Sequence, residues 1–242
     1  MKEFLHSAGF PTPGWTAGEG WTGDPAAEGS PVVVKSRSGT QSRGTRLSRA
    51  GVPLSADEFA EPYWQGCEYS TLVYRGEGRV AVFPPIWKGM NSTSLLPPWK
   101  RLRLCPDPHI SEVLEKELAQ VGMEIAESSN ASGFIEVEYL VLGDGSVQVL
   151  EINPRICGTM RIAAMATGLR IFDFCRRPDL KGILPAAFWA AEVPYNGDEF
   201  AMPDIGAFAT SRLTVASERF SDLRGKLSGF GIEEEVLVPH LD

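Results

Sequence analysis

The residues best suited to chemistry lie at the end of a predicted strand, where Glu151, Asn153 and Arg155 follow one another at spacings of two. The preceding residues 147–150 alternate and include β-branched side chains, which is typical of a strand. Side chains two residues apart share one face of a strand, so Glu151 and Asn153 present their oxygens together. Such oxygens suit a hard cation that also holds phosphate. A strand end with a solvated glutamate is the alternative interpretation.

A second acidic strand precedes this one. Residues 133–142 alternate, and the turn at residues 143–145 predicts a β-hairpin that brings Glu138 close to Glu151. Like charges across a strand pair are destabilising unless something neutralises them, and Mg²⁺ would do so. Glu136 shares the face of Glu138, which leaves open that one of them only faces solvent.

A lysine and a glycine-containing loop lie near the beginning of the chain. Lys35 follows three consecutive valines, so its ammonium is predicted to emerge from a buried strand, where it could meet nucleotide phosphates. The loop after it contributes two glycines, a hydroxyl and a guanidinium: Gly39, Ser42, Arg43 and Gly44. Glycines let backbone N–H groups approach phosphate oxygens without a Cβ in the way. An edge lysine followed by a plain turn is the alternative, and no Walker or dinucleotide motif is present.

Other elements must hold these residues in place. Residues 111–128 predict an amphipathic helix with Ser111 as a candidate N-cap. A small Ala-rich helix is predicted over residues 160–168, where a glycine ends it. Residues 80–88 predict one strand and residues 211–215 another.

Several basic residues lie between the strand at 80–88 and the long helix: Lys88, Lys100, Arg101 and Arg103. We interpret residues 88–103 as a solvated basic loop. The alternative is contact with a γ-phosphate or an acidic substrate. Arg212, in the later strand, could face the same site.

The composition bounds the partners and the location. With 242 residues, a net charge of −8 and a pI near 5.1, the chain lacks the basic character of a nucleic-acid-binding protein, so we expect a small-molecule substrate. No signal-peptide pattern and no run of about 20 apolar residues is found, and the four cysteines show no metal-type spacing. We therefore expect a cytoplasmic protein with free thiols and no membrane partner.

The order of these motifs resembles the ATP-grasp superfamily of carboxylate-activating ligases, closest in style to its carbamoyl phosphate synthetase-like members. The resemblance covers nearly the whole chain. Besides the motifs above, it includes an entry helix and Gly-x-Pro-x-Pro turn at residues 2–13 and a hinge strand at residues 61–70.

The resemblance implies an α+β fold in which two α+β subdomains with antiparallel sheets clasp ATP. Residues 1–242 would form a single catalytic unit, with a small lid subdomain at about 14–63 and a large catalytic subdomain at about 64–242. Adenine would contact the backbone near Glu61 to Trp64, and Glu68 would accept from the ribose hydroxyls. Leu150, expected on the face opposite Glu151, would pack under adenine.

The remaining site assignments come from the same resemblance. Lys35 and the loop with Gly39, Ser42, Arg43 and Gly44 would hold the phosphates. The metal ligands would be Glu138, Glu151 and Asn153, with Mg²⁺ as the metal and Mn²⁺ as an alternative. Arg155 would face the acyl phosphate or the carboxylate being activated, and together with Lys35 it forms the expected catalytic pair.

The resemblance implies an ADP-forming ligase that phosphorylates a small-molecule carboxylate and joins the acyl phosphate to an amine. Two other interpretations stay open: a nucleotide-binding subunit or fragment without its own turnover, and a phosphotransferase of the same fold. Most family members have a preceding domain that contributes a first nucleotide lysine, and this chain begins within the entry helix. Three alternatives stay open: the acceptor site is built from the catalytic unit alone, a partner chain or homo-oligomer supplies it, or the polypeptide is a fragment. Lys2 and Lys88 are the candidate substitutes for the missing first lysine.

Overall fold

The structure is a computed structural model, and it describes residues 1–18, 20–39, 44–95, 101–194, 212–230 and 232. Its first sheet, called the lid sheet below, contains five strands: β1 (Trp15–Thr16), β2 (Trp21–Thr22), β3 (Pro31–Ser36), β4 (Arg46–Arg49) and β5 (Glu58–Pro62). Their order in the sheet is β2-β1-β5-β3-β4, and every pairing is antiparallel. Val32, Val34 and Ala60 form its small core.

The second sheet, called the large sheet, contains nine strands: β6 (Gly66–Gly76), β7 (Arg79–Val82), β8 (Ile86–Met90), β9 (Arg103–Cys105), β10 (Gly133–Leu142), β11 (Val147–Asn153), β12 (Gly182–Ile183), β13 (Trp189–Pro194) and β14 (Arg212–Ser217). Its main order is β11-β10-β6-β8-β9-β13-β14, with β7 beside β6 and β12 beside β7. The short β7–β12 pair is parallel, and the other pairings are antiparallel. The predicted α+β class with antiparallel sheets is confirmed.

The described helices pack mainly against the large sheet: α1 (Lys2–Ser7), α2 (Glu112–Ser128), α3 (Met160–Thr167), α4 (Phe220–Ser228) and a 3₁₀ helix (Ile171–Arg176). Helices α2 and α4 contribute to the apolar core on one face of the sheet, together with Ile135, Val137 and Tyr139 of β10. Helix α3 covers part of the opposite face. No helix in the described ranges is both long and apolar enough to cross a membrane.

Alternation along each strand separates these two faces. In β10 the residues between the core positions are Glu136 and Glu138, so they project from the face opposite α2. On that face, Leu72 and Ile86 pack with α3 at one end of the strands. The other end of the same face carries charged side chains and lies toward the lid sheet.

Both predicted helices and the predicted hairpin are confirmed. Ser111 caps α2 by accepting a hydrogen bond from the Leu114 N–H at 3.2 Å. Gly168 ends α3 in the left-handed region, with φ 68°. Residues Glu138 and Glu151 are direct cross-strand partners.

The predicted single strand at residues 80–88 is wrong, because Phe83-Pro84-Pro85 separates β7 from β8. Proline has no N–H for the ladder, which explains the interruption. The interpretation of residues 88–103 as a solvated loop is also wrong at both ends. Lys88 lies in β8 and Arg103 in β9, and both are buried. Lys100 lies outside the described residues.

Candidate functional site

A cavity of about 280 Å³ lies between the lid sheet and the large sheet. Many residues selected from the sequence line it: Lys35, Gly39, Glu61, Trp64, Glu68, Glu138, Leu150 and Glu151. Asn153, at the end of β11, and Arg155, two residues later, do not line the cavity. Ser42 and Arg43 lie outside the described residues, and Gly44 follows them with φ 79°.

The β10–β11 hairpin brings two carboxylates to this cavity. Glu138 is paired with Glu151, but the next pair is Tyr139 with Val149, so Leu150 is the extra residue of a β-bulge. A bulge locally disrupts the alternation of side chains and can redirect one of them. Leu150 and Glu151 therefore both line the cavity. The expectation that they face opposite sides is wrong, because it assumed a regular strand.

Glu138 is linked to the other predicted ligand. The Asn153 side-chain amide donates to its Oε1 at 3.4 Å, and Arg155 Nη2 donates to Asn153 Oδ1 at 3.4 Å. The three predicted ligands thus provide two carboxylates and one amide oxygen at the end of one hairpin. Among the described residues there is no group of three or more His, Cys, Asp or Glu side chains arranged to hold a metal. The oxygens of Glu138, Glu151 and Asn153 fit Mg²⁺, which commonly binds one or two carboxylates and completes its coordination shell with phosphate and water.

Lys88, on β8, forms ion pairs with two carboxylates of β10. Its Nζ lies 3.2 Å from Glu138 Oε2 and 3.3 Å from Glu136 Oε1. Glu136 also accepts from the Thr159 hydroxyl at 2.9 Å and is 5% exposed, so it does not face solvent. Burial raises the pKa of Glu136, but Lys88 and Thr159 outweigh it and the net shift is downward. Burial and the neighbouring carboxylates raise the pKa of Glu138 despite Lys88.

The lid contributes a buried carboxylate between two lysines. Glu61 on β5 lies 2.5 Å from Lys35 Nζ and also forms an ion pair with Lys2. Burial lowers the pKa of Lys35, but the charge of Glu61 outweighs it and raises the pKa. In Lys2 burial prevails, and the pKa is lowered. Two ammonium groups therefore lie beside the cavity, held by one carboxylate.

Comparisons with known proteins identify the fold. A family model described as "Carbamoyl-phosphate synthase L chain, ATP binding domain" matches residues 96–177. The carboxyaminoimidazole ribonucleotide synthase of Aspergillus clavatus, solved with ATP, superposes with a TM-score of 0.71 at 16% identity, over 98% of this chain and 71% of that one. The chain has the ATP-grasp fold.

Two further proteins that are similar to this chain are ligases by name. The L-amino acid ligase of Bacillus licheniformis superposes with a TM-score of 0.68 at 15% identity, over 95% of this chain and 68% of that one. The D-alanine–D-alanine ligase of Neisseria gonorrhoeae (strain NCCP11945) is 28% identical in an alignment of 159 residues that covers 62% of this chain and 51% of the ligase. The ATP-grasp chain thus spans about half the length of the curated relatives it matches.

The backbone between the lid sheet and β6 is held by a residue that the sequence did not reveal. Asn91 donates to the Trp64 carbonyl at 2.7 Å and accepts from the Gly66 N–H at 3.0 Å, so one amide side chain bridges both sides of residue 65. Asn91 also lines the cavity. No pattern in the sequence indicates this role, because it depends on contacts across 25 or more residues.

Glu68, the predicted ribose ligand, also has an unforeseen partner. Arg101 Nη1 lies 2.6 Å from Glu68 Oε2, and both side chains line the cavity. The ion pair orients the carboxylate while leaving it acceptor capacity, since each carboxylate oxygen can accept more than one hydrogen bond. Glu68 therefore has the chemistry for sugar hydroxyls, and its assignment to ribose stays a prediction.

Proposed function

We propose that this ATP-grasp chain is an ADP-forming carboxylate–amine ligase. The proposal rests on one observation above all: Glu138 and Glu151 face each other across a hairpin and share a cavity with Lys35. Opposed carboxylates suit a divalent cation, and the nearby ammonium suits phosphate. The similarity to two enzymes named as ligases supports the same class of reaction.

The substrates would occupy distinct parts of the site. ATP would lie in the cavity, with adenine near Trp64, ribose at Glu68, and the phosphates near Lys35, Gly39 and Gly44. Leu150 offers an apolar surface for the base. Mg²⁺, or Mn²⁺ in its place, would be held by Glu138, Glu151 and Asn153, where it would neutralise phosphate charge and favour phosphoryl transfer.

The chain's own residues would position the reactants and stabilise charge. A carboxylate oxygen of the substrate attacks the γ-phosphorus, the bond to the ADP oxygen breaks, and an acyl phosphate forms. The amine then attacks the acyl carbon, phosphate leaves, and the amine gives up a proton. Lys35 and Arg155 would offset the negative charge during these steps, since fixed cations in a water-poor site stabilise such charge effectively. Enclosure between the two sheets would protect the acyl phosphate from hydrolysis.

The test is ADP release from Mg²⁺-ATP with pooled small carboxylates, with and without pooled amines, followed by mass spectrometry. The proposal expects ADP that depends on a carboxylate, together with a condensed mass that depends on both pools. A phosphorylated product that persists with amine present would instead indicate a phosphotransferase. ATP binding without any turnover would indicate a subunit or fragment that needs a partner chain.

A further inference from the structure

Arg37 is a second cation on the cavity side of the lid sheet. It directly follows β3, two residues beyond Lys35, and both residues line the cavity. Val33 lines the cavity as well, whereas Val34 belongs to the core of the lid sheet. This is the alternation expected of a strand. The inner side of the lid therefore presents two cations in succession, Lys35 and then Arg37.

The backbone around Arg37 is anchored to Asp57. The Arg37 N–H donates to the Asp57 carbonyl at 2.7 Å, which extends the β3–β5 ladder by one step. The hydroxyls of Ser36 and Ser38 both donate to Asp57 Oδ2, at 2.5 Å and 2.9 Å. These hydrogen bonds lower the pKa of Asp57, and the charge of Arg37 makes a smaller contribution in the same direction. Both neighbours of Arg37 are thus fixed to one carboxylate.

The guanidinium of Arg37 is available to a ligand. In the part of the chain that the structure describes, Arg37 is exposed and forms no ion pair, whereas Lys35 is paired with Glu61. Asp57 accepts from the two serine hydroxyls instead. A guanidinium beside a cavity, without a carboxylate partner, is suited to an anion that enters the cavity.

The register of the two sheets indicates which part of a nucleotide Arg37 would meet. Strand β5 ends and β6 begins at the connection of residues 63–65. Lys35 lies opposite a residue three positions before the end of β5, and Arg37 opposite one five positions before it, or roughly 10 Å and roughly 17 Å from the connection. Glu138 lies opposite a residue four positions into β6, or roughly 13 Å from the connection, and Glu151 is its partner. The carboxylate pair thus lies between the depths of the two cations.

We propose that Arg37 binds the terminal phosphate of ATP and lets the lid distinguish the triphosphate from the diphosphate product, with Asp57 as the positioning residue. This inference rests on the proposed function for the orientation of ATP, with the base at the connection and the phosphates pointing outward. A cation held by paired carboxylates typically bridges the last two phosphates, so the outermost phosphate lies toward Arg37. A guanidinium fork can bind two phosphoryl oxygens at once. ADP lacks this contact, which favours release of the product.

Calorimetric titration of the full chain with Mg²⁺ and AMP-PNP, a non-hydrolysable analogue of ATP, tests the assignment without turnover. ADP and AMP are the comparison ligands. Arg37→Gln should weaken the binding of AMP-PNP at least about tenfold and leave that of ADP and AMP within about twofold, because only the triphosphate reaches the guanidinium. Arg37→Lys should restore part of the loss, since it returns the charge without the fork. Unchanged binding of AMP-PNP, or an equal loss for AMP-PNP and ADP, would overturn the proposal.

Arg49→Gln is the matched control. Arg49 is an exposed arginine of the same lid sheet, donates to the Gly29 carbonyl at 2.8 Å and does not line the cavity. Its substitution should leave the affinities for all three nucleotides as they are. A loss of AMP-PNP binding as large as that of Arg37→Gln would show that any lost positive charge on the lid has this effect, and would contradict a specific contact.

Asp57→Ala tests the positioning role. The change removes the acceptor of both serine hydroxyls, so AMP-PNP should bind more weakly while AMP binds as before. In the Asp57→Ala chain, Arg37→Gln should weaken AMP-PNP binding by a smaller factor than in the unchanged chain, because the guanidinium is no longer held toward the cavity. An equal factor in both chains would show that Asp57 does not position Arg37.

ADP release separates this inference from the proposed function. Binding of AMP-PNP that depends on Arg37, without carboxylate-dependent ADP release, would support the role of Arg37 and contradict the ligase. A condensed product formed by a chain whose AMP-PNP binding is insensitive to Arg37→Gln would support the ligase and contradict the role of Arg37. No binding of any of the three nucleotides would contradict both.

Discussion

Glu138 is the residue on which the candidate site depends most. It pairs with Lys88, receives a hydrogen bond from Asn153 and lies opposite Glu151. Lys88 offsets part of the charge on Glu136 and Glu138, and a bound cation would offset the rest. The sheet can therefore hold Glu136, Glu138 and Glu151 close together, although their like charges repel one another.

Replacing Glu151 by Gln tests the metal assignment. Glu151 is exposed, so the change should leave the midpoint of thermal unfolding almost unaltered. Loss of a metal ligand should reduce the rate of ADP formation by about a hundredfold or more, because the metal supplies several kcal/mol of charge stabilisation. The measurement is ADP release with the active carboxylate and amine.

Glu117→Gln provides the control, since Glu117 is an exposed glutamate on α2. Its ADP release should match that of the unchanged chain. Turnover retained by Glu151→Gln would remove this residue from the metal site.

Lys88→Met should destabilise the fold. The substitution keeps an unbranched side chain but leaves Glu136 and Glu138 without their shared cation. Removing one partner of a buried ion pair costs about 3–5 kcal/mol of unfolding free energy. Denaturant unfolding measures the loss, and the double variant Lys88→Met with Glu136→Gln should recover part of it. A single variant as stable as the unchanged chain would show that the carboxylates do not need Lys88.

Among the elements, the β10–β11 hairpin shows what the sequence could predict and what it could not. Alternation and the glycine turn predicted the strands and the pairing of Glu138 with Glu151, because both are local signals. The bulge at Leu150 leaves no comparable signal, since it depends on how two strands fit together. Lys88 was misassigned for a related reason: it begins a segment rich in basic residues, which is typical of a solvated loop, and only tertiary partners make its burial favourable.

The long helix shows the reliable part of the prediction. Its apolar spacing and Ser111 cap were readable from the sequence, and the structure has both. Ser111→Ala should lower the unfolding free energy by about 1 kcal/mol, because the Leu114 N–H loses its acceptor. Ser128→Ala at the other end of α2 is the matched control. Its hydroxyl donates to a carbonyl within the helix, so the change should stay within about 0.5 kcal/mol. Equal losses in urea unfolding of both variants would argue against the cap.

At the scale of the whole molecule, the N-terminal segment ties the lid to the large sheet. Thr12 donates to the Val149 carbonyl at 2.9 Å and accepts from Lys2 at 2.9 Å. Lys2 in turn pairs with Glu61 of the lid. This chain of contacts, from β11 through Thr12 and Lys2, ends at Glu61, which lines the cavity beside Lys35. The order of the motifs predicted two subdomains, but this link required three distant segments and was not visible in the sequence.

This link should make stability depend on pH through Glu61. Burial raises the pKa of Glu61, but Lys35 and Lys2 outweigh it and lower the pKa below its ordinary 4.5. A carboxylate whose pKa is lower in the folded than in the unfolded chain stabilises the fold fully at pH values above its ordinary pKa. This stabilisation is lost as the pH falls through the pKa of the folded state. Glu61→Gln should therefore cost about 3–5 kcal/mol at neutral pH, because Lys2 stays buried without its counter-ion. The difference in unfolding free energy between the unchanged chain and Glu61→Gln should shrink as the pH is lowered below about 4.5. Denaturant titrations at several pH values measure this difference in unfolding free energy. A difference that stays constant down to about pH 3 would show that the charge of Glu61 does not hold the two sheets together.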